Sequence, residues 1–462
     1  MIPPMNQTRV QNLILLLISY AVFIIWNMHA AALLLVMTIW IYIFGRVGAI
    51  STKRPLSILQ IIGITGPIVT LLYFKYANFF LDSIRPLIHV SCTLRLILPL
   101  GISFYTFQAL GYLFDTYRGK IEPEYDFLSF ACFMCFFPQI IAGPIGRANE
   151  LLPQYKVQRH FDESLAVEAC RQILWGAFAK FVVADNCAMI GSTLLGCKTL
   201  TSSMTILGTL AITIQIYADF SGYSNMAVGL GKMFGIRLKQ NFAFPYFANS
   251  FGDFWHRWHI SLTTWFRDYV YFPLGGSHCS LAKTLRNTWI VFLLSGLWHG
   301  AAWTFVAWGG LHAIYLSMEI LNKHRVKAKQ DEIKDDKIQY RGGDSYSRVV
   351  ISCFYNLFIL IMVSIAWLLF FAPSFSEAGR WLASLLDFKN TPIWPRIPMS
   401  VYAISIISSI LLFTTEFVHR SSEFGLSALK LNVFLRWGIY VSLALLIICC
   451  HGVSGNFIYQ KF

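Results

Sequence analysis

Residues 287–316 read NTWIVFLLSGLWHGAAWTFVAWGGLHAIYL, thirty positions without one Asp, Glu, Lys or Arg. The hydrocarbon core of a bilayer takes about 17–25 apolar residues of helix to cross. Lipid offers no hydrogen bonds, so a crossing segment must satisfy its own backbone, which a helix does. Shorter runs of the same kind recur at 10–26, 30–44, 58–74, 96–112, 127–141, 169–183, 206–228, 349–371, 401–413 and 437–450. Across all 462 residues, 56% are hydrophobic and only 13% charged, with mean hydropathy +0.56. Soluble domains carry about twice that charged fraction. The expected fold class is all-α: a polytopic membrane protein of about ten to twelve transmembrane helices, with re-entrant or interfacial helices besides. It reads as one membrane domain over 1–462, without internal repeats. Only Arg9 precedes the first run and a second run follows directly, so no cleavable signal peptide is expected.

The net charge is +14, and its placement matters more than its sum. Arg46, Lys53 and Arg54 follow the second run. Lys323, Arg325, Lys327, Lys329, Lys334, Lys337 and Arg341 cluster in the polar linker 322–347. Lys/Arg-rich loops stay in the cytoplasm, which puts both segments inside. Topology and attraction to anionic lipid account for this basicity; a dock for an acidic thioester donor, coenzyme A or a phosphopantetheine carrier, would use it too. No basic domain stands outside the membrane, so nucleic acid is not an expected partner. The ten cysteines have no paired spacing. Cys132, Cys135, Cys353, Cys449 and Cys450 fall in apolar runs and read as small buried hydrophobes, neither disulfides nor a zinc ribbon.

Residues 242–276, FAFPYFANSFGDFWHRWHISLTTWFRDYVYFPLGG, differ in kind. They are too charged to face lipid and too aromatic for a free loop. A re-entrant or interfacial helix pair fits them. Residues 372–398 fit an external loop or a short interfacial helix.

Ionisable groups within apolar runs are costly and therefore functional candidates. His299 is the foremost, flanked by Gly296, Gly300, Ala301 and Ala302, small residues that admit another helix or a substrate. An imidazole is available in neutral form near physiological pH and can take a proton from an attacking hydroxyl. A structural histidine bonding a carbonyl is the alternative. In Trp255-His256-Arg257-Trp258-His259, a continuous helix would put both histidines on one face. Arg257 and Arg267 have phosphates, or Asp253 and Asp268, as possible partners. An aromatic belt with snorkelling arginines is the plainer reading. His256, His259 and His299 would give three imidazoles, but no carboxylate or thiolate cluster supplies a fourth ligand, and no metal is expected. Asp219, beside Ser221, Gly222 and Ser224, reads equally as an orienting group or as part of a helix break with a buried ion pair.

Several segments carry a resemblance: FYTFQALGYLFDTYRG from Phe104, FFPQIIAGPI from Phe136, DFSGYSNMAVGLGKMFGI from Asp219, FWHRWHISLTTWFRDYVYFPLGG from Phe254 and LWHGAAWTFVAWGGLHA from Leu297. Together, across 104–313, they resemble the membrane-bound O-acyltransferases, in particular the bacterial branch (AlgI/DltB type) of alginate O-acetylation and teichoic-acid D-alanylation. The resemblance implies a funnel-shaped helical fold with its active site midway through the bilayer. It maps the family's invariant active-site histidine onto His299 and its second histidine onto His259; from the residues themselves, Trp255, Arg257, Trp298 and Asp219 are substrate-binding candidates, as is Tyr459. Residues 457–462, FIYQKF, resemble the family's terminal signature, in which the tyrosine is a possible acyl relay. Two departures stand out: His256 where arginine is common, and Gln460 where an aromatic is usual.

The implied activity is O-acetylation of an exported or cell-surface polysaccharide such as alginate, at the bacterial inner membrane. No cofactor is bound; the acyl donor is acetyl-CoA or an acyl-carrier thioester. The implied partner is a periplasmic acetyltransferase of the SGNH, AlgJ or AlgX type. The same fold also implies an alternative, D-alanyl or other acyl transfer to teichoic acid, lipid or protein. A transporter is the rival of another class, and the lack of inverted repeats speaks against it.

Overall fold

The computed structural model describes residues 6–49, 56–88, 94–333, 345–420, 422–427 and 431–452. Among the described residues every regular element is a helix. In chain order they are α1 (Gln7–Trp26), α2 (Met28–Ala49), α3 (Ile58–Leu71), α4 (Ala77–Ile88), α5 (Ile102–Tyr117), α6 (Phe127–Cys135), α7 (Phe137–Ala142), α8 (Ala148–Lys156), α9 (Glu163–Ala177) and α10 (Asp185–Leu195). Then come α11 (Ser202–Met233), α12 (Phe251–Arg257), α13 (Ile260–Phe266), α14 (Leu281–His299), α15 (Trp303–Ile333), α16 (Ser345–Phe371), α17 (Phe375–Ser384), α18 (Met399–Val418) and α19 (Val433–Cys449).

Among the described residues, eight helices are long and apolar enough to cross a membrane; α6 with α7, and α19, are shorter apolar segments. The chain is a polytopic membrane protein. The first two runs are separate helices despite their short link, because Asn27 serves both. Its backbone N–H closes α1 on the Phe23 carbonyl, and its side chain accepts from the Ala30 N–H at 3.0 Å.

Three runs depart from a simple crossing; the run 127–141 is divided at Phe136 into α6 and α7. The run 96–112 becomes α5, whose 16 residues are almost all buried, so it belongs to the protein core. The run 287–316 is not one helix: it breaks at Gly300 into α14 and α15, which pack backbone to backbone. A Cβ on Gly296 would lie 2.3 Å from the Phe305 carbonyl oxygen, and one on Gly309 would lie 2.2 Å from that of Phe292. The small residues around His299 therefore serve a helix hairpin. The polar linker also begins later than its composition suggests, since α15 stays helical to Ile333; residues 334–344 lie outside the described ones. Cys132 and Cys135 are buried as expected, but Cys353 on α16 and Cys449 on the apolar α19 are exposed, and against lipid such exposure is cheap for a small apolar thiol.

Two compact units share the chain. The first comprises residues 1–173 and 223–240. There α1 packs against α2 and α6, and the end of α11 is closed by a Schellman motif. The Ile236 N–H reaches the Gly231 carbonyl at 2.8 Å and the Gly235 N–H that of Lys232 at 3.0 Å, with Gly235 at φ +71°. The second comprises 174–222 and 241–462 and holds the α14–α15 hairpin, the short pair α12–α13, and α16 to α19. The pair α12–α13 and the short helix α17 agree with the helices expected in 242–276 and 372–398.

Candidate active site

The second unit brings His259 and His299 together, and local backbone chemistry explains how. Helix α12 starts at Ser250, whose hydroxyl accepts from the Asp253 N–H at 3.0 Å, and ends at Arg257. Trp258 is extended, and His259 adopts φ 44°, ψ 53° before α13 begins. A left-handed conformation is uncommon outside glycine and costs about 1–3 kcal/mol. Asn241 holds it in place. Its backbone carbonyl accepts from the Ile260 N–H at 2.9 Å. Its side-chain Oδ1 accepts from the Ser261 N–H at 3.2 Å and from the Ser261 hydroxyl at 2.9 Å. The His259 Nδ1 lies 3.1 Å from the same oxygen. A backbone N–H can only donate, so the amide must present its oxygen here, and His259 must donate through Nδ1. The neutral ring then carries its lone pair on Nε2.

This overturns one expectation: His256 and His259 do not share a helix face, because α12 stops between them. His256 is exposed and its Nδ1 bonds the Gly252 carbonyl at 2.5 Å.

His299 is the last residue of α14, set at the corner of the hairpin and 2% exposed. Ring centroids of Trp298 and Trp308 lie 5.0 Å from its own, and that of Phe370 lies 5.4 Å away. The His259 ring is 6.3 Å away, and Trp298 touches both imidazoles, lying 5.8 Å from His259. Aromatic side chains thus enclose His299 on several sides.

Sequence reasoning missed His312. It is fully buried on α15, 5.0 Å from Trp308 and 4.9 Å from Trp255, and neither ring nitrogen has a hydrogen-bond partner. An ionisable group inside an apolar run was the available signal. Among the described residues no group of three His, Cys, Asp or Glu side chains is arranged to hold a metal ion.

Asp219 sits in an unbroken helix, contrary to the helix-break alternative. Gly222 is there for close approach: a Cβ would lie 2.7 Å from the Gly176 carbonyl oxygen and 2.9 Å from the Lys180 nitrogen. Asp219 joins a buried ion triad, with Lys180 Nζ 2.6 Å from its Oδ1 and 2.7 Å from Asp185 Oδ1. Lys180 and Asp185 are five residues apart and meet because residues Phe178–Ala184 form a π-turn, whose hydrogen bonds run i to i+5. The next residue, Phe220, packs its ring 4.7 Å from His259, so the triad steadies a wall of the histidine site. Lys180 was missed within the run 169–183. Glu416, whose two oxygens lie 2.9 Å from the Tyr217 hydroxyl, was missed because the run 401–413 stops short of it.

Arg257 Nε bonds Asp253 at 2.7 Å and Arg267 Nε bonds Asp268 at 2.9 Å, the carboxylate option of the two considered. Trp255 is buried against Trp308 and His312. Tyr459 and the tail lie outside the described residues. Their approach is described as far as Gly452, whose N–H bonds the Phe181 carbonyl in the π-turn at 3.0 Å.

Asn241 is a positioning residue that composition did not reveal, one position before the aromatic segment. An Asn241→Leu protein leaves His259 without its orienting acceptor. Acyl transfer is expected to fall on the order of 10–100-fold, taking the scale known for partners that orient metal-bound imidazoles as a guide. Asn241→Asp, which keeps the acceptor, is expected to fall less. Rates normalised to folded protein check this order.

The second unit thus combines long apolar helices with a buried pair of histidines. The model of the MBOAT, membrane-bound O-acyltransferase family, matches residues 120–364. The chain is 33% identical over 431 residues to a probable alginate O-acetylase AlgI of Azotobacter vinelandii, covering 91% of this chain and 81% of that protein. It is 36% identical to the protein of the same name in Pseudomonas aeruginosa, over 82% of this chain and 70% of that one. A peptidoglycan O-acetyltransferase of Helicobacter pylori is 36% identical over 68% of this chain and 65% of its own. The chain belongs to the membrane-bound O-acyltransferase family, and it is an acyltransferase.

Proposed function

We propose that this enzyme takes an acetyl group from a cytoplasmic thioester, acetyl-CoA, and delivers it across the bacterial inner membrane for O-acetylation of an exported polysaccharide such as alginate. The observation that carries the reading is the pair of imidazoles 6.3 Å apart, one oriented through Asn241 and the other at the hairpin corner. His299 takes the proton of the accepting hydroxyl as its oxygen attacks the acyl carbon. The carbon–sulfur bond breaks, and the proton returns from the imidazole to the departing thiolate. General-base assistance of this kind contributes about 10²–10⁴-fold. His259 holds the donor end through its Nε2, which accepts from an amide N–H of the donor's pantetheine arm. Arg257 helps at the donor end, once its exposed side exchanges part of its bond to Asp253 for phosphate. A periplasmic acetyltransferase partner completes transfer to the polymer; the relatives named for alginate and peptidoglycan acetylation support a glycan acceptor.

The test is to incubate purified protein with acetyl-labelled coenzyme A, with and without the periplasmic protein encoded beside it. The expected result is loss of label from the thioester and its arrival on glycan hydroxyls only when the partner is present. Label that stays on coenzyme A while a D-alanyl carrier thioester is consumed would move the cargo to D-alanine. Accumulation of a solute in proteoliposomes without thioester cleavage would make the protein a transporter.

A further inference from the structure

In the first unit, α1 and the loop after α8 border a cavity of about 290 Å³, room for about ten waters at their liquid volume. Its walls are apolar: Ile14 and Ile18 of α1, Met233 at the end of α11, and Phe161 of the loop. All four are also exposed, from 37% at Ile18 to 83% at Phe161. On a membrane-spanning helix such exposure faces lipid.

One end of the cavity is polar and built. Gln11 and Arg159 are tied reciprocally: the Gln11 amide donates to the Arg159 carbonyl at 2.7 Å, and the Arg159 N–H donates to Gln11 Oε1 at 3.0 Å. The Arg159 guanidinium donates through Nη2 to the buried Asn12 at 2.9 Å. Its Nη1 is buried and has no hydrogen-bond partner. Asp126, the acid of this network, is engaged by Arg9 at 3.5 Å and by the Ser129 hydroxyl at 2.6 Å. A guanidinium does not deprotonate, and its planar fork matches phosphate oxygens. Arg159 is half-buried, and a guanidinium N–H withdrawn from water without an acceptor is costly. The nearby end of α11 does not oppose an anion, since its Schellman motif satisfies the carbonyls of Gly231 and Lys232.

The spacing fits one kind of occupant. From Gln11 to Ile18 an α-helix rises about 10 Å, the step from headgroup level into the acyl region. Gln11 lies one turn inside the start of α1. We propose that this groove holds one phospholipid of the surrounding bilayer, its phosphate on Arg159 and one acyl chain along Ile14, Ile18 and Met233. With a cation at the headgroup end and, among the described residues, no acid paired to it, an anionic headgroup is preferred to a zwitterionic one. None of these residues belongs to the histidine site, so the lipid site stands or falls apart from the proposed chemistry.

The experiment is native mass spectrometry of the full chain, released from nanodiscs of equal phosphatidylglycerol and phosphatidylethanolamine. Wild type is expected to retain one phosphatidylglycerol. Arg159→Gln is expected to lower that retention at least about tenfold, the scale of one charge-assisted hydrogen bond. Ile18→Trp, which keeps the guanidinium and fills the groove, is expected to lower it as well, and covers the case in which Arg159→Gln fails to fold. Wild type that retains no lipid overturns the proposal, as does undiminished retention in folded variants. So does displacement of the lipid by inorganic phosphate alone, which would mark a site for the free anion.

Discussion

A His299→Gln protein is expected to insert and accumulate at close to the wild-type level and, on the proposed mechanism, to move acetyl groups at a rate lower by about 10²–10⁴-fold, the share a general base supplies. Glutamine is the informative replacement because His299 is part of the packing as well as the chemistry. It is 2% exposed and its ring meets Trp298, Trp308 and Phe370. Alanine there empties a ring-sized volume, and truncating a large buried side chain costs about 2–5 kcal/mol. Glutamine fills most of that volume and keeps hydrogen-bonding atoms, but it cannot take a proton at neutral pH. Polymer acetylation is expected to be abolished in His299→Ala too, with reduced stability mixed into the result. The measurement is label transferred from acetyl-CoA per folded protein, with thermal unfolding alongside. Acetylation at the wild-type rate in folded His299→Gln would falsify the general-base role.

How much of this was legible beforehand follows from what each signal depends on. The membrane-spanning helices were legible because lipid admits almost no charge over a long run, a rule that needs no tertiary information. The break at Gly300 was not legible. No proline or charge marks it, and it exists because Gly296 and Gly309 let α14 and α15 meet backbone to backbone, a tertiary contact. The pairing of His259 with His299 was legible only through resemblance, since forty residues separate them in the chain. The supposed shared face of His256 and His259 failed for a local reason: a strained left-handed residue, held by an asparagine eighteen positions away, ends the helix pattern. Lys180, His312 and Glu416 are of another sort. Each is an ionisable group in or beside an apolar run, so the rule that singled out His299 and Asp219 applied to them equally. The missing information was which of them would meet a partner, and for Lys180 that depends on a π-turn no composition reveals.

Lys180→Met is expected to be the most destabilising of these substitutions. Lys180, Asp185 and Asp219 are each at most 3% exposed, and the lysine is within 2.7 Å of both carboxylates. Methionine fits the same space with no charge and leaves two acids facing each other in a protein interior. Breaking a buried ion pair from one side costs about 3–5 kcal/mol, a large part of the 5–15 kcal/mol that holds a typical fold. The protein is expected to accumulate poorly and unfold at a lower temperature. Asp219→Asn is expected to be much milder, because it leaves one lysine with one acid and keeps a polar group beside α10. The accompanying effect on function runs through Phe220, which the triad holds against His259, so folded Asp219→Asn is expected to transfer acetyl more slowly than wild type. A combined Lys180→Met, Asp185→Asn, Asp219→Asn protein separates charge from shape. If the loss comes from uncompensated charge, neutralising both acids restores much of the accumulation that Lys180→Met removes, since a buried ion cluster is often replaceable by neutral groups. If the triple variant is no better than Lys180→Met alone, the lysine acts through its packing in the π-turn, and the electrostatic account of this site is wrong.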